Sequence, residues 1–254
     1  MRRPRSGFRD MLRSMKGSIA QDQTIAIDGL PEVVVLPLDA DVEAHLPRRG
    51  LLSEGERRLL AGLSGERRRI SFTAGRLAAK IRILGLLAPD GESSDTVSIP
   101  ELDLARTATG ALALSIRGIA RPDIRVSISH GGKFAVADAV QHRLVGIDVE
   151  PVSRKCAALK DAFAVASENE ILAQTHGDSD HGALAYTRLF SAKEAAAKCL
   201  STHMYFAFHH YRLVDAASDR LVLADLSATN RLLQIESVDR EAHVFSRLLI
   251  DELA

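Results

Sequence analysis

The sequence predicts an α+β fold of two similar halves, each with helices packed on a small antiparallel sheet. Short strand-like segments bounded by turn residues occur in both halves, and longer segments with helical apolar spacing lie between them. The chain has 254 residues, of which 46% are hydrophobic, enough for two cores. We place the division near Gln141–Arg143, which gives halves 23–142 and 143–254, and we expect residues 1–22 to form a disordered basic tail.

The first half begins with a strand and a capped helix. A run of valines followed by leucine predicts a strand over Glu32–Leu38, because β-branched residues favour strands. Ser53 is followed three residues later by Glu56, the pattern of a capping box, in which each residue bonds the other's backbone amide. The sequence therefore predicts a helix that begins after Ser53 and continues through Ala61.

A longer helix is predicted over Glu66–Leu87. Leu77, Ile81 and Leu84 are spaced i, i+4 and i+7, which gives the helix one apolar face. The segment Pro89-Asp90-Gly91 is a turn signal that ends this unit. The other side of the helix is basic and carries Arg67, Arg68, Arg69, Arg76, Lys80 and Arg82. Among the first-half arginines Arg58, Arg69, Arg76 and Arg106, we expect most to form a solvated face.

The rest of the chain alternates between strands and helices. Further first-half strands are predicted at Ala111–Ile116, Ile124–Ser129 and Phe134–Val140, the last two joined by a turn over His130–Lys133. The second half is predicted to contain a strand over Leu144–Val149, helices at Ala157–Gln174 and His181–Leu200, and strands near Tyr211–Val214, Leu221–Leu226, Leu232–Ser237 and Val244–Ile250.

Composition excludes several functional classes. Thirty-three basic and 33 acidic residues balance, whereas a protein that binds a nucleic-acid backbone is usually more basic, so no nucleic-acid partner is expected. No run approaches the ~18–20 apolar residues of a membrane helix, so no membrane partner is expected either. Cys156 and Cys199 have neither zinc-site nor disulfide-scaffold spacing. We therefore expect a cytoplasmic protein.

Two acids share one face of a predicted strand. In Val-Gly-Ile-Asp-Val-Glu, Asp148 and Glu150 point to one side of the strand while Ile147 and Val149 point to the other. Carboxylates about 7 Å apart along the backbone repel unless a cation lies between them, and oxygen ligands suit a hard ion such as Mg²⁺. The alternative is a solvated strand end with two exposed acids.

Two further segments carry polar chemistry. Glu194 and Lys198 are i, i+4 neighbours on a helix, a spacing that also occurs in simple surface ion pairs. Ser129 and His130 precede Gly131 at the end of a strand, where backbone amides, a hydroxyl and an imidazole can hold phosphate oxygens. A hairpin turn without a ligand is the alternative for this segment.

Taken together, the segments Ser-Ile-Ser-His-Gly, Gly-Ile-Asp-Val-Glu and Phe-Ser-Ala-Lys-Glu-x-x-x-Lys resemble the 4′-phosphopantetheinyl transferases, in particular the two-domain surfactin type. The resemblance extends from about Leu51 to Asp215. It implies two α/β halves related by a pseudo-two-fold axis with the site between them. It also implies Mg²⁺-dependent transfer of the phosphopantetheine arm of coenzyme A to a serine of an apo acyl or peptidyl carrier protein, with release of adenosine 3′,5′-bisphosphate.

The resemblance assigns roles residue by residue. It implies that Mg²⁺ is held by Asp148, Glu150 and Glu194. It implies that Lys198 contacts the α-phosphate of coenzyme A and neutralises or protonates the leaving phosphate, and that Glu194, or water beside the metal, takes the serine proton. It implies that coenzyme A is contacted by Ser129, His130, Arg106 and Arg76. Arg76 lies in Phe-Thr-Ala-Gly-Arg, which resembles a helix of the enterobactin-synthesis members.

Departures from the family pattern leave alternatives open. Members usually have a basic residue and proline after the loop glycine, but here Gly110 is followed by Ala111 and Leu112. A catalytically silent relative that binds coenzyme A or a carrier protein is therefore the main alternative, and an unrelated Mg²⁺-dependent nucleotide phosphohydrolase is another. Tyr205-Phe206-x-Phe208 favours siderophore synthesis or other secondary metabolism. We expect a monomer, because each half supplies part of the site.

Overall fold

A computed structural model describes residues 27–30, 32–38, 50–87, 97–176, 182–227 and 231–251. The predicted tail over 1–22 and the turn at Pro89–Gly91 lie outside these ranges. The chain divides into two compact units, one of Met1–Ile27 with Pro31–His142 and the other of Asp28–Leu30 with Arg143–Ala254. Each unit combines helices with one antiparallel sheet, so the predicted α+β class is confirmed.

The first unit contains two helices and six strands among its described residues. In chain order these are β1 (Val34–Pro37), α1 (Glu54–Ala61), α2 (Glu66–Leu87), a 3₁₀ turn (Ile99–Glu101), β2 (Leu102–Arg106), β3 (Leu112–Ile116), β4 (Ile119–Ala120), β5 (Ile124–Gly131) and β6 (Phe134–Gln141). The sheet order is β1-β6-β5-β3-β2, with β4 paired to β3. The sequence did not predict β2 or β4.

Helix α1 begins at the predicted capping box. The Glu56 amide donates to Ser53 Oγ at 3.1 Å, and the Ser53 amide donates to Glu56 Oε2 at 2.9 Å. Two amides that have no partner within the helix are thereby satisfied. The bounds Glu54–Ala61 agree with the prediction.

Helix α2 packs its predicted apolar face on the sheet. Leu77 and Ile81 are buried in the core, and the partly buried Leu84 packs against it. Arg58, Arg69 and Arg106 are exposed, as expected for most of these arginines, whereas Arg76 and the neighbouring cation Lys80 are buried. Both lie within reach of the Glu56 carboxylate, which supplies the opposite charge that a buried cation requires.

The second unit contains four helices and five strands among its described residues. These are β7 (Arg143–Pro151), α3 (Arg154–Ala158), a 3₁₀ turn (Lys160–Ala162), α4 (Ala166–His176), α5 (Gly182–Cys199), α6 (Met204–His210), β8 (Tyr211–Ala216), β9 (Arg220–Asp225), β10 (Arg231–Arg240) and β11 (His243–Asp251). The predicted strands are all present. The sequence did not predict α6.

The single helix predicted over Ala157–Gln174 is wrong. The chain forms α3, the 3₁₀ turn and α4 instead, because Phe163 and Ala164 turn into the core between them. Glu168 then accepts the Val165 amide at 2.9 Å and caps the start of α4. Apolar residues that enter a core at a bend can have the same spacing as those of a helix, so the periodicity alone did not reveal the break between α3 and α4.

The two sheets have the same strand order. The second runs β7-β11-β10-β9-β8, so β7 corresponds to β1 and β11 to β6. The register also corresponds, because Pro37 faces the first residue of β6 and Pro151 faces the first residue of β11. Counted from these prolines, Val34 corresponds to Asp148 and Leu36 to Glu150.

Candidate active site

Strand β7 carries two of the predicted metal ligands. Asp148 and Glu150 alternate with Ile147 and Val149, both of which are buried in the second unit. Asp148 is fully buried, so the interpretation of this segment as a solvated strand end is wrong. A buried carboxylate requires compensating charge or hydrogen bonds.

Gly146 lets helix α5 approach this strand closely. A Cβ at this position would lie 1.9 Å from the Ala195 carbonyl oxygen and 2.6 Å from the Cys199 nitrogen, so only glycine fits. The close approach brings Glu194, the neighbour of Ala195, to the carboxylates of β7. The chain thus needs glycine for packing at this point, not for an unusual backbone angle.

The three acids meet in one cluster. Asp148, Glu150 and Glu194 each offer a carboxylate oxygen, and these oxygens lie within 4.8 Å of one another. Glu150 and Glu194 are partly exposed, so a ligand can reach the cluster from solvent. Three carboxylates at this separation form an oxygen-only donor set that fits a hard divalent cation such as Mg²⁺.

Lys198 is the cation of the cluster. Its Nζ donates to Asp148 Oδ1 at 2.6 Å and lies 3.3 Å from Glu194 Oε2. Its side chain is 29% exposed. The Glu194–Lys198 spacing is therefore part of a larger charged cluster and not an isolated surface pair. One ammonium facing three carboxylates leaves the cluster negative when all three are ionised.

Burial and mutual repulsion raise the pKa values of two of the three acids. Burial, together with the charges of Asp148 and Glu194, raises the pKa of Glu150 to about 8. Burial and Asp148 raise the pKa of Glu194 to about 7, against the lowering effect of Lys198. Burial lowers the pKa of Lys198, but the two neighbouring carboxylates outweigh it and the net shift is upward. A bound cation would lower the carboxyl pKa values by supplying the missing positive charge.

The predicted coenzyme A contacts belong to the first unit. Ser129 and His130 are consecutive on β5, so their side chains point to opposite faces of the sheet; Ser129 is buried and His130 exposed. Arg106 is the exposed last residue of β2. Strand β5 extends to Gly131, so the predicted turn is shorter than expected and begins at Gly132.

Arg76 is buried on α2. Its guanidinium lies 4.9 Å from the centre of the Phe72 ring, and its Nε is 3.5 Å from Glu56 Oε1. Neither of these two atoms has a hydrogen-bond partner among the described residues. Burial lowers the pKa of Arg76, and nearby Arg106 lowers it further, while Glu56 and Asp103 oppose the shift. The two arginines are thus electrostatically coupled.

The corresponding positions of the first unit are apolar. Val34 and Leu36 correspond by register to Asp148 and Glu150, and Ile81 follows a buried lysine as Glu194 does. These three side chains belong to one hydrophobic cluster. The acidic cluster is the one group of three potential metal ligands found among the described residues, and it lies in the second unit.

Sequence reasoning missed residues that support the site. Gly146 and Lys193 lie within the motifs that carry the resemblance, but the sequence predicted no role for either residue. Glu168 lies outside every motif, and its i, i+3 relation to Val165 is the only local signal. Its partnership with Lys193 joins residues 25 positions apart, which no local pattern indicates.

One protein-family model matches a large part of the second unit. The sequence model of ACPS, the 4′-phosphopantetheinyl transferase superfamily, matches residues 144–245. This stretch runs from β7 into β11 and contains all three acids and Lys198. No curated protein matches the chain.

Two solved structures are also similar in part. A holo-(acyl-carrier-protein) synthase from Bacillus anthracis, in complex with CoA (3′,5′-ADP), is 27% identical, with 43% of this chain and 91% of that chain covered and a TM-score of 0.34. An apo-ACPS structure from Chronobacterium ammoiniagenes is 23% identical, with 41% and 89% covered and the same TM-score. A TM-score of 0.34 is too low for either structure to bear on the fold.

No helix in the described part of the chain is both long and apolar enough to cross a membrane.

Proposed function

We propose that this protein transfers the 4′-phosphopantetheine arm of coenzyme A to a serine of an apo carrier protein, in a Mg²⁺-dependent reaction. The observation that supports this most is the cluster of three acids and Lys198, which lies within the segment matched by the transferase superfamily. A cluster of this kind suits chemistry at a pyrophosphate, where negative charge has to be neutralised.

The three acids are the proposed ligands of Mg²⁺. Bound there, the ion would neutralise the pyrophosphate oxygens of coenzyme A and stabilise the leaving phosphate. Lys198 holds Asp148 and Glu194 in place and is the proposed contact of the departing phosphate, because its partly exposed ammonium can reach a ligand while it keeps its bond to Asp148.

The reaction is a displacement at phosphorus. The serine oxygen of the carrier attacks the β-phosphorus of coenzyme A, the bond from that phosphorus to the bridging oxygen breaks, and adenosine 3′,5′-bisphosphate leaves. Glu194 is the proposed acceptor of the serine proton, because its carboxylate is partly exposed and a hydroxyl can reach it from solvent beside the other two acids. The proton count balances, since the carboxyl gains what the hydroxyl loses.

Several parts of the hypothesis come from the sequence alone. Ser129, His130, Arg76 and Arg106 stay predicted contacts of coenzyme A. The monomeric state, the cytoplasmic location and a role in siderophore or other secondary metabolism also stay predictions.

The test is intact-protein mass spectrometry of several apo carrier proteins incubated with this protein, coenzyme A and Mg²⁺. We expect a mass gain equal to the phosphopantetheine arm that disappears in EDTA. Binding of coenzyme A by calorimetry without any gain would favour the silent relative, and release of phosphate without a carrier would favour a phosphohydrolase.

Asp148→Asn and Glu194→Gln test the acids. Each removes one negative ligand with little change in shape, and we expect each to abolish transfer while the far-UV circular dichroism spectrum is unchanged. Glu54→Gln is the matched control, because Glu54 pairs with Arg58 on an exposed face of α1 in the other unit. A Glu194→Gln variant with full Mg²⁺-dependent activity would refute the assignment.

A further inference from the structure

Lys193 immediately precedes Glu194 in the motif, yet it is entirely buried. Its Nζ donates to the Phe163 carbonyl at 2.7 Å, to Glu168 Oε2 at 3.1 Å and to the Phe208 carbonyl at 3.4 Å. An ammonium has three N–H bonds, and each is directed to one of these partners. Lys193 therefore has neither exposure nor a spare donor with which to contact a substrate.

Glu168 connects this lysine to the rest of the second unit. Its Oε1 accepts the Leu213 amide of β8 at 2.8 Å, and its Oε2 accepts the Val165 amide before α4 at 2.9 Å. The surroundings are apolar, since Phe190 packs edge-on against Phe163 with ring centres 5.4 Å apart. The Lys193–Glu168 pair thus fixes α5 to the start of α4 and to β8 from within the core.

The first unit contains the same device without the acidic cluster. Lys80 Nζ lies 2.5 Å from Glu56 Oε2 and donates to the Leu51 carbonyl at 2.9 Å. In both units the lysine is on the long helix, and the glutamate is at the third position of the preceding helix, 24 or 25 residues earlier. Here Ile81 follows the lysine. Because the pair occurs without metal-binding chemistry, its role is architectural.

The anchored Lys193 also orients the residues that follow it on α5. Consecutive residues of an α-helix point about 100° apart, so a side chain anchored at Lys193 fixes the direction of Glu194, and of Lys198 one turn later. Gly146 sets the distance between α5 and β7, and Lys193 sets the rotation of α5. Both are needed to bring Glu194 to Asp148.

We propose that Lys193 is a positioning residue, whose buried ion pair with Glu168 holds α5 in the rotation that brings Glu194 and Lys198 to Asp148. This inference rests on the proposed function, because it assumes that the three acids bind a metal. It assigns the lysine of the Lys-Glu motif to the architecture of the site and not to contact with coenzyme A.

Mn²⁺ binding, measured as loss of the free-ion electron paramagnetic resonance signal, tests this inference without requiring activity. Lys193→Met removes the nearest cation of the buried Glu168 and leaves it only Arg212, whose Nη1 is 4.0 Å from Oε2, so we expect the dissociation constant for Mn²⁺ to rise at least about tenfold. Adding Glu168→Gln removes the unpaired buried charge, so part of the lost unfolding temperature should return. Mn²⁺ affinity should stay low in this double variant, because the ion pair that holds α5 is still absent.

Lys80→Met is the matched control. It breaks the corresponding pair in the first unit, so it should lower the unfolding temperature while Mn²⁺ affinity stays within about twofold of wild type. If Lys193→Met does not fold, Glu168→Gln alone should weaken Mn²⁺ binding severalfold.

Three results would overturn the inference. These are a folded Lys193→Met variant with wild-type Mn²⁺ affinity and no transfer, an equal loss of affinity in Lys80→Met, and unchanged affinity in Glu168→Gln. Failure of the wild-type protein both to bind Mn²⁺ and to modify a carrier would instead overturn the proposed function, and the inference with it.

Discussion

Replacement of Gly146 by alanine should separate strand β7 from helix α5. The added Cβ would lie 1.9 Å from the Ala195 carbonyl oxygen, whereas ordinary contact begins at 3.4 Å. Strand and helix therefore have to move apart by about 1.5 Å, the difference between the two distances. The Cys199 nitrogen and Cβ, at 2.6 and 2.8 Å, prevent a sideways escape because they are also parts of the helix.

The cost should be at the upper end of that for overpacked cores. Extra methylenes in a packed core typically cost 1–3 kcal/mol, and the blocking atoms here belong to a helix backbone that cannot rotate away, so we expect about 3 kcal/mol. This corresponds to a fall in unfolding temperature on the order of 10 °C. The same shift would stretch the 2.6 Å bond from Lys198 to Asp148, so Mn²⁺ affinity should fall at least about tenfold.

Thermal unfolding by circular dichroism and Mn²⁺ titration measure the two effects. Gly182→Ala is the matched control: it is the same substitution at the first residue of α5, and its added Cβ meets no atom within 4 Å. We expect this control to be neutral or slightly stabilising. A Gly146→Ala variant that unfolds within about 2 °C of wild type and binds Mn²⁺ normally would refute the close approach of β7 and α5.

Three further predictions concern charge. Without metal, the pKa is raised to about 8 for Glu150 and to about 7 for Glu194. The folded chain therefore keeps protons at a pH at which the unfolded chain has lost them. Since this difference makes stability decrease with pH, the unfolding temperature in EDTA should fall as pH rises from 5 to 9. Mg²⁺ should reduce the fall, and a pH-independent curve would contradict the shifts. Lys198→Met should lower the transfer rate at saturating coenzyme A at least about tenfold, and a wild-type rate would remove this residue from the mechanism. Glu56→Ala should cost about 3–5 kcal/mol in urea unfolding because it strands a buried lysine, whereas Glu54→Ala, at an exposed pair, should cost under about 0.5 kcal/mol.

Local patterns in the sequence determined much of the fold. The capping box of Ser53 and Glu56, the helix over Glu66–Leu87 and most strands follow from spacing and residue type, because these elements depend on neighbours within a few positions. The break between α3 and α4 was not predicted, since it depends on Phe163 entering a core formed by distant segments. Helix α6 was missed for a similar reason, because its aromatic residues pack on other elements.

The sequence by itself also predicted which residues would carry the chemistry. The resemblance of the motif order to the 4′-phosphopantetheinyl transferases singled out Asp148, Glu150, Glu194 and Lys198, because motifs and their order can be read from the sequence. Whether these four residues meet was decided only by the tertiary structure. Their meeting depends on the missing side chain of Gly146 and on a buried ion pair that joins Lys193 to a glutamate 25 residues away. The close approach of β7 to α5 at Gly146 and the Lys193–Glu168 pair both join segments that are distant in sequence, and such contacts form only when the chain packs.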